Sequence, residues 1–133
     1  MLYPYMAYAN ALAAIDWLER AFGFERIAVY AGHGETVAHA EMRAGGGIIM
    51  LGSSSIGSIG LKSPKEAGVC TGGAYVYVPN PDEHYSRARQ AGAEIVKDLA
   101  DMEYGAREYT CRDLEGHLWS FGTYKPQYTD NPT

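Results

Sequence analysis

His39 and Glu41, two residues apart in the run Glu35 to Arg43, are the pair best spaced in this sequence to act together. Alternate residues of an extended strand share a face, so this imidazole and carboxylate lie side by side. Such a pair can anchor a ligand or move a proton near neutral pH. It can equally be a hydrogen-bonded strand histidine with no site around it. As a metal centre it lacks a third donor, and none stands out elsewhere in the chain.

A second alternating run, Arg107, Tyr109 and Cys111, is interleaved with Glu108 and Thr110. Facing a cavity, Arg107 pairs with a carboxylate or stacks on an aromatic ring. Facing outward, it bridges to Glu108 or Asp101. Cys111 has no neighbouring His motif to activate it and reads as a packed thiol. Cys70 and Cys111, the only cysteines, have neither CxxC spacing nor the density of a disulfide scaffold, which points to a reducing, cytoplasmic setting. His33 and His117 stand in turns and His84 on a helix, positions where imidazoles are commonly solvated. Ser53-Ser54-Ser55 reads as linker, and nothing resembles a phosphate-cradling loop.

The aromatic inventory is skewed, with 11 Tyr against 3 Phe. Tyrosine combines a flat apolar face with a hydroxyl that needs a partner, which suits the wall of a wet cavity. By strand alternation Tyr3, Tyr5, Tyr75 and Tyr77 point the same way as Met50 and Ser120. They either line an aromatic pocket or fill it themselves.

The elements that position these residues follow from periodicity and punctuation. Leu2 to Tyr8 reads as a strand. Asn10 caps a helix over Ala11 to Phe22, where Leu12, Ile15, Leu18 and Phe22 recur at helical spacing and Gly23 ends the run. Phe24 to Tyr30, Glu35 to Arg43 and Ile48 to Leu51 are strands separated by Gly32-His33-Gly34 and Gly45-Gly46-Gly47. Ser53 to Cys70 has the composition of a linker or lid, with a short helical turn at Lys65-Glu66-Ala67. Gly73 to Val78 is a strand, Asp82 to Ala91 a helix closed by Gly92, and Ala93 to Asp98 a strand. Arg107 to Cys111 and Leu118 to Phe121 form a hairpin across Asp113-Leu114-Glu115-Gly116. Lys125 to Thr133 is a loose tail.

The two halves repeat. Sliding the chain by 70 positions puts Tyr5 on Tyr75, Asn10 on Asn80, Ala21 on Ala91, Gly46 on Gly116 and Gly52 on Gly122. The expected class is α+β, with two tandem βαβββ modules over 1–52 and 73–124, a connecting loop over 53–72 and a tail over 125–133. Neither module is large enough for a robust core of its own, so the two must pack together as one compact domain.

This doubled unit, whose second half ends in YGAREYTCRDLEGHLWSFGTY, resembles the vicinal oxygen chelate superfamily of glyoxalase I, extradiol dioxygenases and bleomycin-type resistance proteins. YGARE, DLEGHLW and AIDWLERAFGFE carry the resemblance. It implies sheets curled around a cavity, and usually a homodimer. Metal-binding members place a His, Glu or Gln near the start of each half's first strand and on each half's last strand. Those positions correspond here to Tyr3, Gly73, Met50 and Ser120, none of them a competent ligand for a divalent cation.

With a formal charge of −5 and scattered Lys and Arg, the sequence offers no stripe for nucleic acid. The start MLYPYMAYANA lacks a leader pattern, and no apolar run approaches a membrane span. The resulting expectation is a binder, without cofactor, of a small planar hydrophobic or cationic molecule such as an antibiotic, in the manner of the resistance proteins. Its expected ligand wall is Tyr3, Tyr5, His39, Glu41, Met50, Tyr75, Tyr77, Arg107, Tyr109 and Ser120. The alternative is an enzyme: a lyase or dioxygenase with displaced metal ligands, or an acid/base catalyst using His39 and Glu41.

Overall fold

The computed structural model describes residues 1–57 and 59–127. The chain runs β1 (Tyr5–Tyr8), α1 (Ala11–Phe22), β2 (Glu25–Ala31), β3 (Val37–Ala44) and β4 (Gly47–Ser53), then a short connection containing α2 (Pro64–Ala67). The pattern returns as β5 (Gly73–Tyr77), α3 (Pro81–Gln90), β6 (Glu94–Asp101), β7 (Arg107–Arg112) and β8 (Leu118–Gly122). Two four-stranded mixed sheets result, ordered β1-β4-β3-β2 and β5-β8-β7-β6. In each, the first strand pairs in parallel with the last and the others pair antiparallel. This is the expected tandem βαβββ architecture of the α+β class.

Local chemistry explains the boundaries. Asn10 and Asn80 cap α1 and α3 in the same way, each side chain accepting from the third helical N–H, that of Ala13 or Glu83. Gly23 takes the left-handed conformation that ends α1 (φ 72°). Pro4 has no N–H to give a ladder, and β1 starts only after it, at Tyr5. Tyr3 therefore precedes the strand in which it was expected. Of the expected tail, residues 125–127 have no regular structure, and the rest lies outside the described residues.

One core joins the modules. Phe22 and Phe24 of the first pack on Trp119 and Phe121 of the second, with ring centroids 4.7 to 6.4 Å apart. Each helix end is also tied across the pair. Arg87 of α3 donates to the carbonyls of Glu19 and Arg20 at 2.9 and 2.8 Å, satisfying the C-terminus of α1. Trp17 Nε1 donates to the Ala91 carbonyl at 2.8 Å, just past α3.

The turn between β7 and β8 is a clasp between modules. Glu115 accepts the backbone N–H groups of Ala9 and Asn10, at 2.7 and 2.9 Å, where β1 passes into α1. Asp113 accepts the Tyr8 hydroxyl at 2.6 Å and Trp119 Nε1 at 3.0 Å, together with the N–H groups of Glu115 and His117. Both carboxylates are buried and fully partnered. Helix α2 seats on the same turn, with Lys65 N–H donating to the Glu115 carbonyl. The connection is thus docked structure; Ser53 Oγ, expected to be linker, accepts the Val37 N–H at 2.8 Å.

Candidate functional site

Each sheet turns one face to the shared core and leaves the other open. On β3 Val37, at the irregular start of the pairing with β2, is buried; beyond it Ala40, Met42 and Ala44 face the core, so His39, Glu41 and Arg43 point the other way. Register then aligns Tyr5, Met50 and Glu41 across β1, β4 and β3 on that open face. His39 Nε2 lies 3.0 Å from Glu41 Oε2, making the expected pair. Tyr5 and Tyr30 flank the His39 ring at 6.5 and 6.1 Å, both nearly parallel to it. Tyr30 was not anticipated, because β2 slips register on either side of it and breaks simple alternation.

The second sheet repeats the row with different residues. Tyr75, Ser120 and Thr110 align across β5, β8 and β7, and Tyr77, Gly122 and Glu108 form the next rank. Ser120 Oγ lies 2.8 Å from Thr110 Oγ1. Beside this row, Tyr104 from the β6–β7 turn and Tyr124 from the segment after β8 line an open pocket of about 460 Å³ with Tyr75 and Glu108. Tyr104 donates to Glu108 Oε1 at 2.6 Å, and this bond, with desolvation, pushes its phenol up to about 12. Alternation could not reveal Tyr104 or Tyr124, because both lie outside strands.

Two expected members of this wall face elsewhere. Arg107 lies on the helix side and pairs with Asp82 of α3 at 2.8 Å and with Asp101 at 3.2 Å. Tyr109 is 1% exposed and packs on Phe121, with its hydroxyl 2.5 Å from His84 Nδ1. The cause is one residue of register. Glu41 pairs with Met50 and Thr110 with Ser120, so β7 is displaced by 69 positions from β3 while β8 is displaced by 70 from β4. The longer turn at Asp113–His117 absorbs the difference, and a one-residue slip exchanges the faces of every side chain on β7. Cys111 is buried in the core, and desolvation pushes its thiol up to about 12, which suits a packed thiol.

The histidines expected to be solvated divide. His33 is exposed. His117 Nε2 donates to the Ala7 carbonyl at 2.8 Å and packs edge-on against Tyr8. His84 is enclosed by Phe22 and Phe121, donates through Nε2 to the Phe22 carbonyl at 3.0 Å and accepts from Tyr109. Desolvation lowers its pKa to about 4, so it is a neutral interior group.

The four positions where the resemblance would put metal ligands do not make a donor set. Tyr3 precedes β1 and is exposed, Met50 offers a thioether, and Ser120 is bonded to Thr110. Gly73 is closed to any side chain, since an added Cβ would lie 2.9 Å from the Leu118 carbonyl oxygen. Among the described residues, no three His, Cys, Asp or Glu side chains cluster to replace them. A larger cleft of about 540 Å³ lies between Pro4–Ala7, Gly73 and the connection. Tyr5 is its tyrosine, and its His117 is already committed to Ala7.

The sequence is similar to the uncharacterized protein Rv0887c of Mycobacterium tuberculosis (strain ATCC 25618 / H37Rv), at 31% identity over 123 residues, covering 91% of this chain and 72% of that one. Among solved structures it resembles TioX from Micromonospora sp. ML1, with 34% identity, a TM-score of 0.74, and coverage of 97% of this chain and 99% of TioX. The genomically encoded fosfomycin resistance protein FosX from Listeria monocytogenes, complexed with Mn(II) and sulfate, shares the fold at 15% identity and a TM-score of 0.67, over 94% of this chain and 92% of FosX. The profile of one family matches residues 6–121, nearly the whole of both modules. The chain belongs to the Glyoxalase/Bleomycin resistance protein/Dioxygenase superfamily.

Proposed function

We propose that this protein binds, without transforming, a small planar hydrophobic or cationic molecule such as an antibiotic, and that it works as a homodimer. The observation that carries the reading is the matched pair of open, tyrosine-bearing sheet faces. Tyr5 stands beside Met50 on one and Tyr75 beside Ser120 on the other, and Met50 and Ser120 hold two of the four positions where the resemblance puts metal ligands. Aromatic faces left outside the core suit a flat guest, each contact contributing about 0.5 to 1.5 kcal/mol beyond area burial. Equilibrium titration of the purified protein against planar aromatic antibiotics tests it. Saturable binding with the compound recovered unchanged is expected; absence of saturable binding across the panel would overturn the reading.

One observation favours a second reading. The His39–Glu41 contact, flanked by two tyrosines, is arranged for proton transfer without a metal. Turnover of a bound compound, abolished by His39→Gln, would select this reading over sequestration.

A further inference from the structure

On the second sheet's open face, Tyr75, Tyr104 and Tyr124 share one cavity with Glu108. Tyr124 stands edge-to-face with both other rings, at 6.2 Å and 69° from Tyr75 and 5.7 Å and 79° from Tyr104. Steeply inclined rings form no parallel slot, so a flat guest can stack on one of them at a time. They suit a compact, rounded group that meets several π surfaces, and those surfaces carry partial negative charge. Two of the hydroxyls are tied down within the protein: Tyr75 donates to the Tyr124 carbonyl at 2.7 Å and Tyr104 to Glu108. The rings are therefore held in place without a guest.

Charge points the same way. The two arginines at the ends of β7 are engaged elsewhere, Arg107 with Asp82 and Asp101 and Arg112 with Glu94. Among the described residues no Lys or Arg forms a salt bridge with Glu108. One rank along β5, the chain shows the matching chemistry itself: Lys125 Nζ lies 5.0 Å from the centroid of the Tyr77 ring. A cation on this face is thus already accommodated by a tyrosine.

We infer that Tyr75, Tyr104, Tyr124 and Glu108 form a cage for a substituted ammonium group. The assignment deepens the binding reading above, because it makes this group the cationic end of the ligand. Choline and its uncharged isostere 3,3-dimethyl-1-butanol separate charge from shape. Titrated into the full chain with the tyrosine ring resonances observed, choline should shift Tyr75, Tyr104 and Tyr124 saturably, and the alcohol should bind roughly 5- to 10-fold more weakly. Tyr104→Ala and Glu108→Gln should each weaken choline about 2- to 5-fold. Their unfolding midpoints should stay unchanged, since Tyr104 is 60% exposed. Equal binding of the two probes, no saturable choline shift, or variants that bind as the parent does would each overturn the cage. Planar compounds binding where choline fails would remove the cage and leave the broader reading; choline binding where no planar compound does would support the cage and remove that reading.

Discussion

Asp113 gathers four donors, and two of them, the Tyr8 hydroxyl and Trp119 Nε1, come from side chains buried in the shared core. Burial and the adjacent carboxylate hold the Tyr8 phenol well above its ordinary pKa, so it remains the donor. Asp113→Ala orphans both groups and should destabilise the protein by about 3 kcal/mol or more, read from urea unfolding. His84 makes a pH prediction of definite sign. Its folded pKa, about 4, lies below the unfolded value of 6.5, so the unfolded state takes up the proton first. Stability should be complete above about pH 6.5 and should fall as pH drops toward 4. In His84→Gln the unfolding midpoint should be lower at neutral pH but flatter across that window. A parallel pH slope in both proteins would assign it to other groups.

Among the elements, punctuation was legible and parity was only half so. Asn10 announced the first helix, and Asn80, which the repeat aligns with it but which reads as part of a turn before Asp82, caps the second in the same way. On β3, alternation from His39 to Glu41 named the right face. On β7 it named the wrong one, because a turn of five residues replaces one of two and side-chain orientation flips with each added residue. Tyr104 and Tyr124 carry no periodic signal at all, and only tertiary structure brings them beside Tyr75. The corrected register has a consequence. Thr110→Ala, on the open face, should change unfolding by less than about 1 kcal/mol, whereas Tyr109→Ala, in the core, should cost roughly 3 to 5 kcal/mol. Thermal or urea unfolding of the two variants checks this, and equal losses would contradict the assignment of faces.

At the scale of the whole molecule, the modules share what neither has alone. Phe22 and Phe24 find their aromatic partners across the module boundary, and the Glu115 carboxylate satisfies the entry to α1. A fragment of residues 1–72 should therefore remain unfolded by circular dichroism, as a chain left with half a core. With the core on one side of each sheet, the tyrosines on the other are free to serve recognition. Tyr75 decides between these roles, because it stands on the open face yet reaches back to the Tyr124 carbonyl. The most direct test measures ligand affinity and the unfolding midpoint on the same Tyr75→Ala protein. Affinity for the bound compound should fall about 2- to 10-fold while stability changes by less than about 1 kcal/mol; equal losses in both would make Tyr75 a structural residue and contradict the assignment of this face to binding.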